Sequence, residues 1–275
     1  MIKHNTYTFI AVNYNNSNFT EKYINSVNEI EISESDEIKI IIVDNASDKN
    51  DIDKLEKICE SIKNVKLIKS NENGGYFKGL NLGIIEAKKI VDRNLIVGNN
   101  DLTFDKQFIV NLKKINYNDK VMVIAPNIIT KDGRQQNPHV VNEVSDRERF
   151  KNKVYFSNYY LAQILKLINY PIKKYINKKK KLTNEYGQII IKRGIGACYI
   201  LTQNFFQVYE KLDDSVFMWG EEAVLSHQVE SAGGYTLYDP SIIIKHHESA
   251  SVSSIQSKKK YYIVKESYKV YKDYL

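Results

Sequence analysis

The 275-residue chain has few of the residues that would staple or segment it: two cysteines, four prolines and one tryptophan. Cys59 and Cys198 stand alone, outside any metal-type pair, so no disulfide framework is available and a reduced, cytoplasmic setting is expected. No run approaches the roughly 20 apolar residues of a membrane-spanning helix. The N-terminal MIKHNTYTFIAVNYNN turns polar again after Val12, unlike a secretory leader. Internal repeats and Pro/Gly linkers are missing, which favours one domain with appendages. Arginine is scarce too, with Arg93, Arg134, Arg147, Arg149 and Arg193 the only ones among 40 basic residues. A nucleic-acid reader would use more of arginine's bidentate donors, and no reader motif or stacking platform is present.

What is present is ordinary globular chemistry: 43% hydrophobic and 27% charged residues, with a formal net charge of +7. The excess is local. Residues 171–193 hold eight basic side chains and one acidic one. A solvated charge run is one reading of this stretch. Attachment to an anionic membrane surface, together with Lys258, Lys259 and Lys260, is the other.

The first 130 residues alternate strand-like and helix-like segments. TFIAVNYNN is followed by Phe19, Tyr23, Ile24 and Val27 at helical spacing. IKIIIVDNAS has the continuous apolar run of a strand covered on both faces, and a helical stretch from Ile52 to Ile62 comes next. VKLIKS, NLIVGNND and VMVIAPNI supply three more strands. This alternation predicts an open, mostly parallel α/β sheet flanked by helices. Ligands of such sheets bind beyond the carboxyl ends of the strands. The polar strand ends Asn13–Asn16, Asp44–Asn45, Asn73–Gly75 and Asn99–Asp101 therefore form one expected rim, although Asn, Asp and Gly also dominate ordinary turns. Patterning weakens over 142–192 and returns in GIGACYIL, FMWGEEAVLSHQV and SIIIKHHESAS, before a basic C-terminal helix.

Three places carry candidate chemistry. Asp101 closes an apolar strand and suits a hard divalent cation, which takes few protein carboxylates when a substrate supplies phosphates. Glu221 and Glu222 fall in the first turn of a helix, where acids complement the dipole. They also follow the bulky Phe217, Met218 and Trp219, and a carboxylate partly desolvated by such neighbours becomes a better base. His246–His247 ends a strand, either as an edge residue or as a metal partner of Asp101. NENGGYFKGLNLG offers Gly74 and Gly75 for close backbone approach at a helix start. Its spacing matches neither a P-loop nor a dinucleotide fingerprint.

In this order, VNYNN, IIVDNAS, NENGGYFKGLNLG, NND, GACYIL, FMWGEE and IIIKHHESAS resemble the family 2 inverting glycosyltransferases of GT-A fold. The similarity is greatest to the rhamnosyltransferase-like branch that builds bacterial surface polysaccharides. The resemblance implies a GT-A domain over residues 1–250, with a Lys/Tyr-rich insertion at about 142–192, and a C-terminal basic helix over 251–275. It implies a nucleotide-sugar donor, dTDP-rhamnose-like or UDP-linked, and a glycan or polyprenyl-linked acceptor. A divalent cation, Mn²⁺ or Mg²⁺, would be held by Asp101 and His246. Donor contacts would come from Val12, Asn13, Asn15, Asp44, Asn73, Gly75, Asn81, Asn100, Asp101, Gly196 and Ala197. Glu222 would be the catalytic base, with Glu221 beside it, and the enzyme would be cytoplasmic or peripheral on the inner membrane face. The chain has Glu where the family usually has Asp at position 222, and Asn99-Asn100-Asp101 in place of a DxD-type motif. An inactive binding scaffold is the alternative that these departures suggest.

Overall fold

The computed structural model describes residues 5–88, 94–167, 186–248 and 257–275. It opens with β1 (Asn5–Asn13), α1 (Ser17–Asn28), β2 (Asp36–Asp44), α2 (Lys49–Glu60), β3 (Val65–Lys69), α3 (Tyr76–Ala87) and β4 (Asn94–Asn99). β1 pairs in parallel with β2 and β4, and β2 with β3, as the apolar runs predict. Alternation along these strands serves two cores. Phe9, Ala11, Ile40 and Ile42 enter one, with Tyr23, Ile24, Phe104 and Phe108. Ile10, Ile41 and Val43 enter the other, with Phe77, Leu80 and Ile84 of α3. A side chain of this size contributes about 1.5–3 kcal/mol when fully buried. Strands covered on both faces are thus the main fixed part of the fold.

The remaining elements are β5 (Leu102–Phe104), α4 (Phe108–Lys114), β6 (Val121–Thr130), α5 (Asp146–Ser157), β7 (Ile189–Ile191), β8 (Cys198–Leu201), α6 (Gln203–Val208), α7 (Glu221–Ser231), β9 (Tyr235–His246) and α8 (Ser257–Tyr271). Among the described residues the strands join in one sheet of order β3-β2-β1-β4-β8-β6-β9-β5, with β7 added on β9. β8 runs antiparallel between β4 and β6. β6 and β9 are parallel. The result is the expected mixed, mostly parallel open sheet with helices on both faces.

Two departures from the sequence reading have local causes. β5 is a three-residue strand immediately after Asp101, too short to show a period; its pairing with Ile244–His246 of β9 is what brings the two segments side by side. β9 begins at Tyr235, ahead of the expected SIIIKHH segment, because the strand continues through Asp239-Pro240. Pro240 has no N–H for the ladder, and the pairing with β6 shifts register there. The Ser241 backbone N–H donates to Asp239 Oδ1 at 2.8 Å across this irregularity.

The expected insertion is described only in part. α5 starts at Ser145, whose hydroxyl accepts from the Glu148 N–H at 3.4 Å. Residues 159–167 are helical, and the basic positions 168–185 lie outside the described residues. The C-terminal helix is seated rather than free. Tyr261 and Ser267 are buried, the Tyr261 hydroxyl donates to the Tyr155 carbonyl at 3.1 Å, and Phe156 stacks on Tyr268 with ring centres 4.4 Å apart.

Candidate active site

The ends of β1, β2 and β4 are tied by side-chain amides. Asn13 is fully enclosed; its amide nitrogen donates to Asp44 Oδ1 (3.0 Å), Ser47 Oγ (3.1 Å) and Asp51 Oδ2 (2.8 Å). Its oxygen accepts from Thr20 Oγ1 (2.9 Å) and from the Asn100 amide (3.1 Å). Asn100 also donates to Thr20 Oγ1 at 2.8 Å. Asp44 receives the Ser47 N–H at 3.0 Å as well as Asn13. The exposed Asn15, at φ 52°, is fastened to the same turn by its N–H on Ser47 Oγ and by the Asp48 N–H on its side chain. Asn13, Asn15, Asp44 and Asn100 are therefore joined into one hydrogen-bonded frame at the ends of β1, β2 and β4.

Asp51 is the unforeseen hub of that frame. It caps α1 by accepting the N–H groups of Asn16 and Ser17. Burial raises its pKa, but the hydrogen bonds from Asn13, Ser17 and Asn16 outweigh this and hold it below the usual carboxylate value. The spacing of Asp51 in α2 gives no hint of a role at β1.

A second tie positions the glycine loop. Asn45 donates to Asn73 Oδ1 and to the Gly75 carbonyl, each at 3.0 Å, and accepts the Gly74 N–H at 3.2 Å. Gly75 sits at φ 95°, and a Cβ there would lie 2.3 Å from the Phe217 carbonyl oxygen. No other residue suits both conditions. The next residue, Tyr76, donates its N–H to that same carbonyl at 3.0 Å, joining the loop to the segment that precedes Glu221. Asn81 lies farther along α3, with its amide engaged by the Leu212 backbone (both bonds 2.9 Å) and by Asp214 (3.0 Å). It fixes the 212–214 turn. Val12 is half-buried on β1, with its methyl groups facing Gly79 of α3.

Asp101 and His246 meet across β5 and β9. His246 Nε2 is 3.3 Å from Asp101 Oδ1, and both side chains are largely buried. His247 points elsewhere, its Nε2 2.7 Å from Thr103 Oγ1. Of the two adjacent histidines it is therefore His246, the last residue of β9, whose ring lies against the Asp101 carboxylate. One carboxylate and one imidazole fit a hard divalent cation that completes its shell with phosphate and water. Among the described residues no group of three or more His, Cys, Asp or Glu could hold a metal by itself.

Gly196 and Ala197 connect this pair to the glutamates. The Ala197 carbonyl accepts the Asn99 N–H at 2.9 Å, two residues before Asp101. The Gly196 N–H donates to Glu222 Oε1 at 3.1 Å, and its carbonyl accepts from the Tyr76 hydroxyl at 2.9 Å. The Tyr76 phenol is within electrostatic reach of Asp101, Glu221 and Glu222 together. One short segment thus joins β4, the glycine loop and the acidic pair.

The two acids differ. Glu221 is buried, and burial, with the Glu222 charge adding, pushes its pKa up to about 8. Its protonated form is thereby favoured relative to an ordinary carboxylate. Glu222 is half-buried, reaches solvent and carries the Gly196 hydrogen bond. Both follow a strained corner, Trp219 at φ 64° and Gly220 at φ 110°. α8 closes over that corner: the Ser267 hydroxyl donates to the Met218 carbonyl at 2.9 Å, and Lys260 Nζ lies 4.8 Å from the Trp219 ring centre. His139, Arg193 and Tyr271 also come within electrostatic reach of Glu222. Sequence reasoning missed all three, along with Asp51 and Tyr76 as site-building residues, whereas Asn45 stood on the expected rim. Tyr76 could have been found from its place directly after Gly75.

Residues 8–184, which include the rim and Asp101 but end before Gly196, Glu222 and His246, match Glycosyl transferase family 2. The chain belongs to that family. Among solved structures it is similar to GalNAc-T7 with UDP, GalNAc and Mn²⁺, at TM-score 0.59 and 16% identity, over 89% of this chain and 44% of that one. It is also similar to the mannosyltransferase PcManGT from Pyrobaculum calidifontis in complex with GDP-Man and Mn²⁺ (TM-score 0.56, 11% identity, 96% of this chain and 70% of that one). A third is S. aureus TarS (TM-score 0.55, 12% identity, 89% of this chain and 37% of that one). The chain thus spans less than half the length of the GalNAc-T7 and TarS chains. No curated protein sequence matches it. At these identities the structural likeness establishes the GT-A fold, and the family match establishes a glycosyltransferase domain.

Proposed function

We propose that the chain is an inverting, metal-dependent glycosyltransferase that moves a sugar from a nucleoside-diphosphate donor to a hydroxyl of a glycan or lipid-linked acceptor. The observation that supports this reading is that Gly196 donates its N–H to Glu222 while the adjacent Ala197 carbonyl accepts the Asn99 N–H, two residues before Asp101. The rim of Val12, Asp44, Asn73 and Gly75 would receive the nucleotide, framed from below by Asn13, Asn15 and Asn100, while Asn81 fixes the neighbouring turn. Asp101 and His246 would hold the divalent cation, which when bound offsets charge on the departing diphosphate.

Glu222, oriented by the Gly196 N–H, takes the proton from the acceptor hydroxyl. The acceptor oxygen bonds to the anomeric carbon as the carbon–oxygen bond to the diphosphate breaks on the opposite face, inverting that carbon. Glu221 stays protonated, so a second negative charge does not accumulate beside the reacting oxygen. No covalent enzyme intermediate is required by this chemistry.

The donor reading, dTDP-rhamnose-like or UDP-sugar, and a place in surface polysaccharide synthesis rest on the sequence resemblance. The neighbours with UDP or GDP-Man and Mn²⁺ support a nucleotide-sugar donor in general. Thermal-shift screening of UDP, dTDP, GDP and CMP with Mn²⁺ selects the nucleotide. Incubation with its sugar derivatives then reads the configuration of the product. A product of inverted configuration is expected, and a retained configuration would overturn the mechanism.

The departure from a DxD motif favours the scaffold as the second reading, and any enzyme-dependent sugar transfer removes it. Peripheral membrane attachment forms part of the proposal. No helix of the described residues is long and apolar enough to cross a membrane. Tyr160, Leu161, Ile164 and Leu167 are exposed on the helical residues 159–167, and Lys258 and Lys259 are exposed on α8. Vesicles of anionic lipid should bind the protein, and reversing Lys258 and Lys259 to glutamate should weaken that binding. Unchanged binding contradicts this part.

A further inference from the structure

Beyond the metal pair itself lies a chain of polar groups that the proposed chemistry does not use. The turn after β6 brings the chain back so that the Gln136 N–H donates to the Ile128 carbonyl at 2.8 Å, fixing Gln136 against the strand. Thr130 of the same strand stands in register with His246 of β9. Across this gap His246 Nδ1 is 2.8 Å from Gln136 Oε1. On its other side, the Gln136 amide nitrogen donates to Glu248 Oε1 at 3.2 Å, and Arg134 Nη2 donates to the same oxygen at 2.9 Å.

The directions of these bonds follow from chemistry alone. A carboxylate paired with an arginine only accepts, so Gln136 must turn its NH₂ group toward Glu248. Its oxygen is then left facing His246, and an amide oxygen also only accepts. His246 must therefore carry a proton on Nδ1. In the neutral ring the lone pair is then on Nε2, the atom 3.3 Å from Asp101 Oδ1. The Asn99 amide nitrogen, a donor, lies 3.5 Å from Nε2, in agreement with a lone pair there. An imidazole lone pair and a carboxylate oxygen held face to face are a poor mutual contact and a good pair of ligands for one cation.

We infer that Gln136 is a positioning residue: it fixes His246 with its proton on Nδ1 and holds the Nε2 lone pair beside Asp101, so that the two side chains present a ready nitrogen–oxygen pair to a divalent cation. Glu248 and Arg134 set the amide orientation on which this depends. Outer partners of metal-binding histidines act in this way, and their loss typically weakens metal binding about 10–100-fold. The inference rests on the metal-dependent reading for its purpose, but its geometry belongs to the metal-free protein.

The test uses the full chain with ¹⁵N-labelled histidine, free of metal, at about pH 8, where an ordinary imidazole is neutral. The His246 signals should show protonated Nδ1 and unprotonated Nε2. Gln136→Leu should move the proton to Nε2, where it bonds Asp101, and should weaken binding of Mn²⁺ alone, followed by electron paramagnetic resonance, about 10-fold or more. Gln136→Glu keeps an acceptor in place and should retain the wild-type proton position. Unaltered amide spectra elsewhere will show that the variants are folded. Protonated Nε2 in the wild type, or a Gln136→Leu protein with unchanged proton position and Mn²⁺ affinity, overturns the inference. Asp101→Asn separates the two layers: if it binds Mn²⁺ as the wild type does, the metal reading of this pair fails, while the nitrogen signals still decide the role of Gln136.

Discussion

The two parts of the candidate site are built differently. The rim at β1, β2 and β4 is a compact lattice of Asn, Asp, Ser and Thr, in which Asn13 bonds Asp44, Ser47, Asp51, Thr20 and Asn100. Its members sit at strand ends and the first turns of helices, within the first 101 residues. The acid side is assembled from distant pieces: Gly196, Glu221–Glu222, and α8 with Tyr271. There, separate single bonds, from the Gly196 N–H to Glu222, the Tyr76 hydroxyl to the Gly196 carbonyl and the Ser267 hydroxyl to the Met218 carbonyl, take the place of a network. The polar rim is tied by redundant hydrogen bonds, whereas the position of the proposed base depends on a few close contacts. Single substitutions should therefore cost more function on the acid side and more shared stability on the rim.

Glu222→Gln is expected to give the largest effect. It keeps the shape and the Gly196 contact but cannot take a proton, so transfer should fall about 10²–10⁴-fold. The thermal shift given by nucleoside diphosphate and Mn²⁺ should persist. Full activity in this variant would remove Glu222 from the mechanism.

Gly220→Ala comes next. The new Cβ would lie 2.2 Å from the Tyr271 ring, at a φ of 110° that suits glycine alone. Overpacking of this kind costs about 1–3 kcal/mol, and transfer should fall with it because the acidic pair follows directly. Gly133→Ala is the matched control: its φ is 78°, with nothing within 4 Å of the added atom. Equal loss of melting temperature and activity in the two variants would show that contact with α8 is unimportant.

On the rim, Asp51→Ala leaves the Asn16 and Ser17 N–H groups without their side-chain acceptor, while the Asn13 amide keeps Asp44 and Ser47. A loss of about 1–3 kcal/mol in denaturant unfolding is expected, with the chemical step little changed at saturating substrate. A large drop in turnover with unchanged stability would reverse the proposed contrast.

The last effect is a change of slope, small at any one pH step. Glu221 is raised to about 8 in the fold from an ordinary carboxylate value. Between roughly pH 4.5 and 8 the native state keeps a proton that the unfolded chain has lost, so Glu221 makes stability decline as pH rises through that window and adds no slope above it. Glu221→Gln should flatten this part of the curve when unfolding is followed against pH. An unchanged slope would show that Glu221 ionises normally.

The same contrast governs what the sequence discloses. Continuous apolar runs ending in Asp44 and Asp101 announce a parallel sheet and its polar rim, because burial on both faces and turn chemistry are local properties. Glu221–Glu222 could be singled out by their bulky neighbours and their place at a helix start. Arg193, His139 and Tyr271 could not, since only the tertiary fold brings them near Glu222. Gln136 was hidden for the same reason, 110 residues from His246. Asn13, Asn100 and Asn81 were legible as polar positions, but whether an amide faces a ligand or supports the loop beneath depends on partners that spacing does not reveal. The basic C-terminal helix was visible as a charge pattern, while its seat on Met218 and Gly220 depends on side chains that look unremarkable in order.

The central claim is that the strand end bearing Asp101 and the helix start bearing Glu222 line one cleft. Titration of the ¹⁵N-labelled protein with Mn²⁺ and the selected nucleoside diphosphate tests it most directly, through paramagnetic broadening of backbone amide signals. The account predicts broadening centred on Asp101 and His246 that extends to Gly196, Ala197 and Glu222 and disappears in Asp101→Asn. Broadening that leaves Gly196 and Glu222 sharp, or that survives in Asp101→Asn, would contradict it.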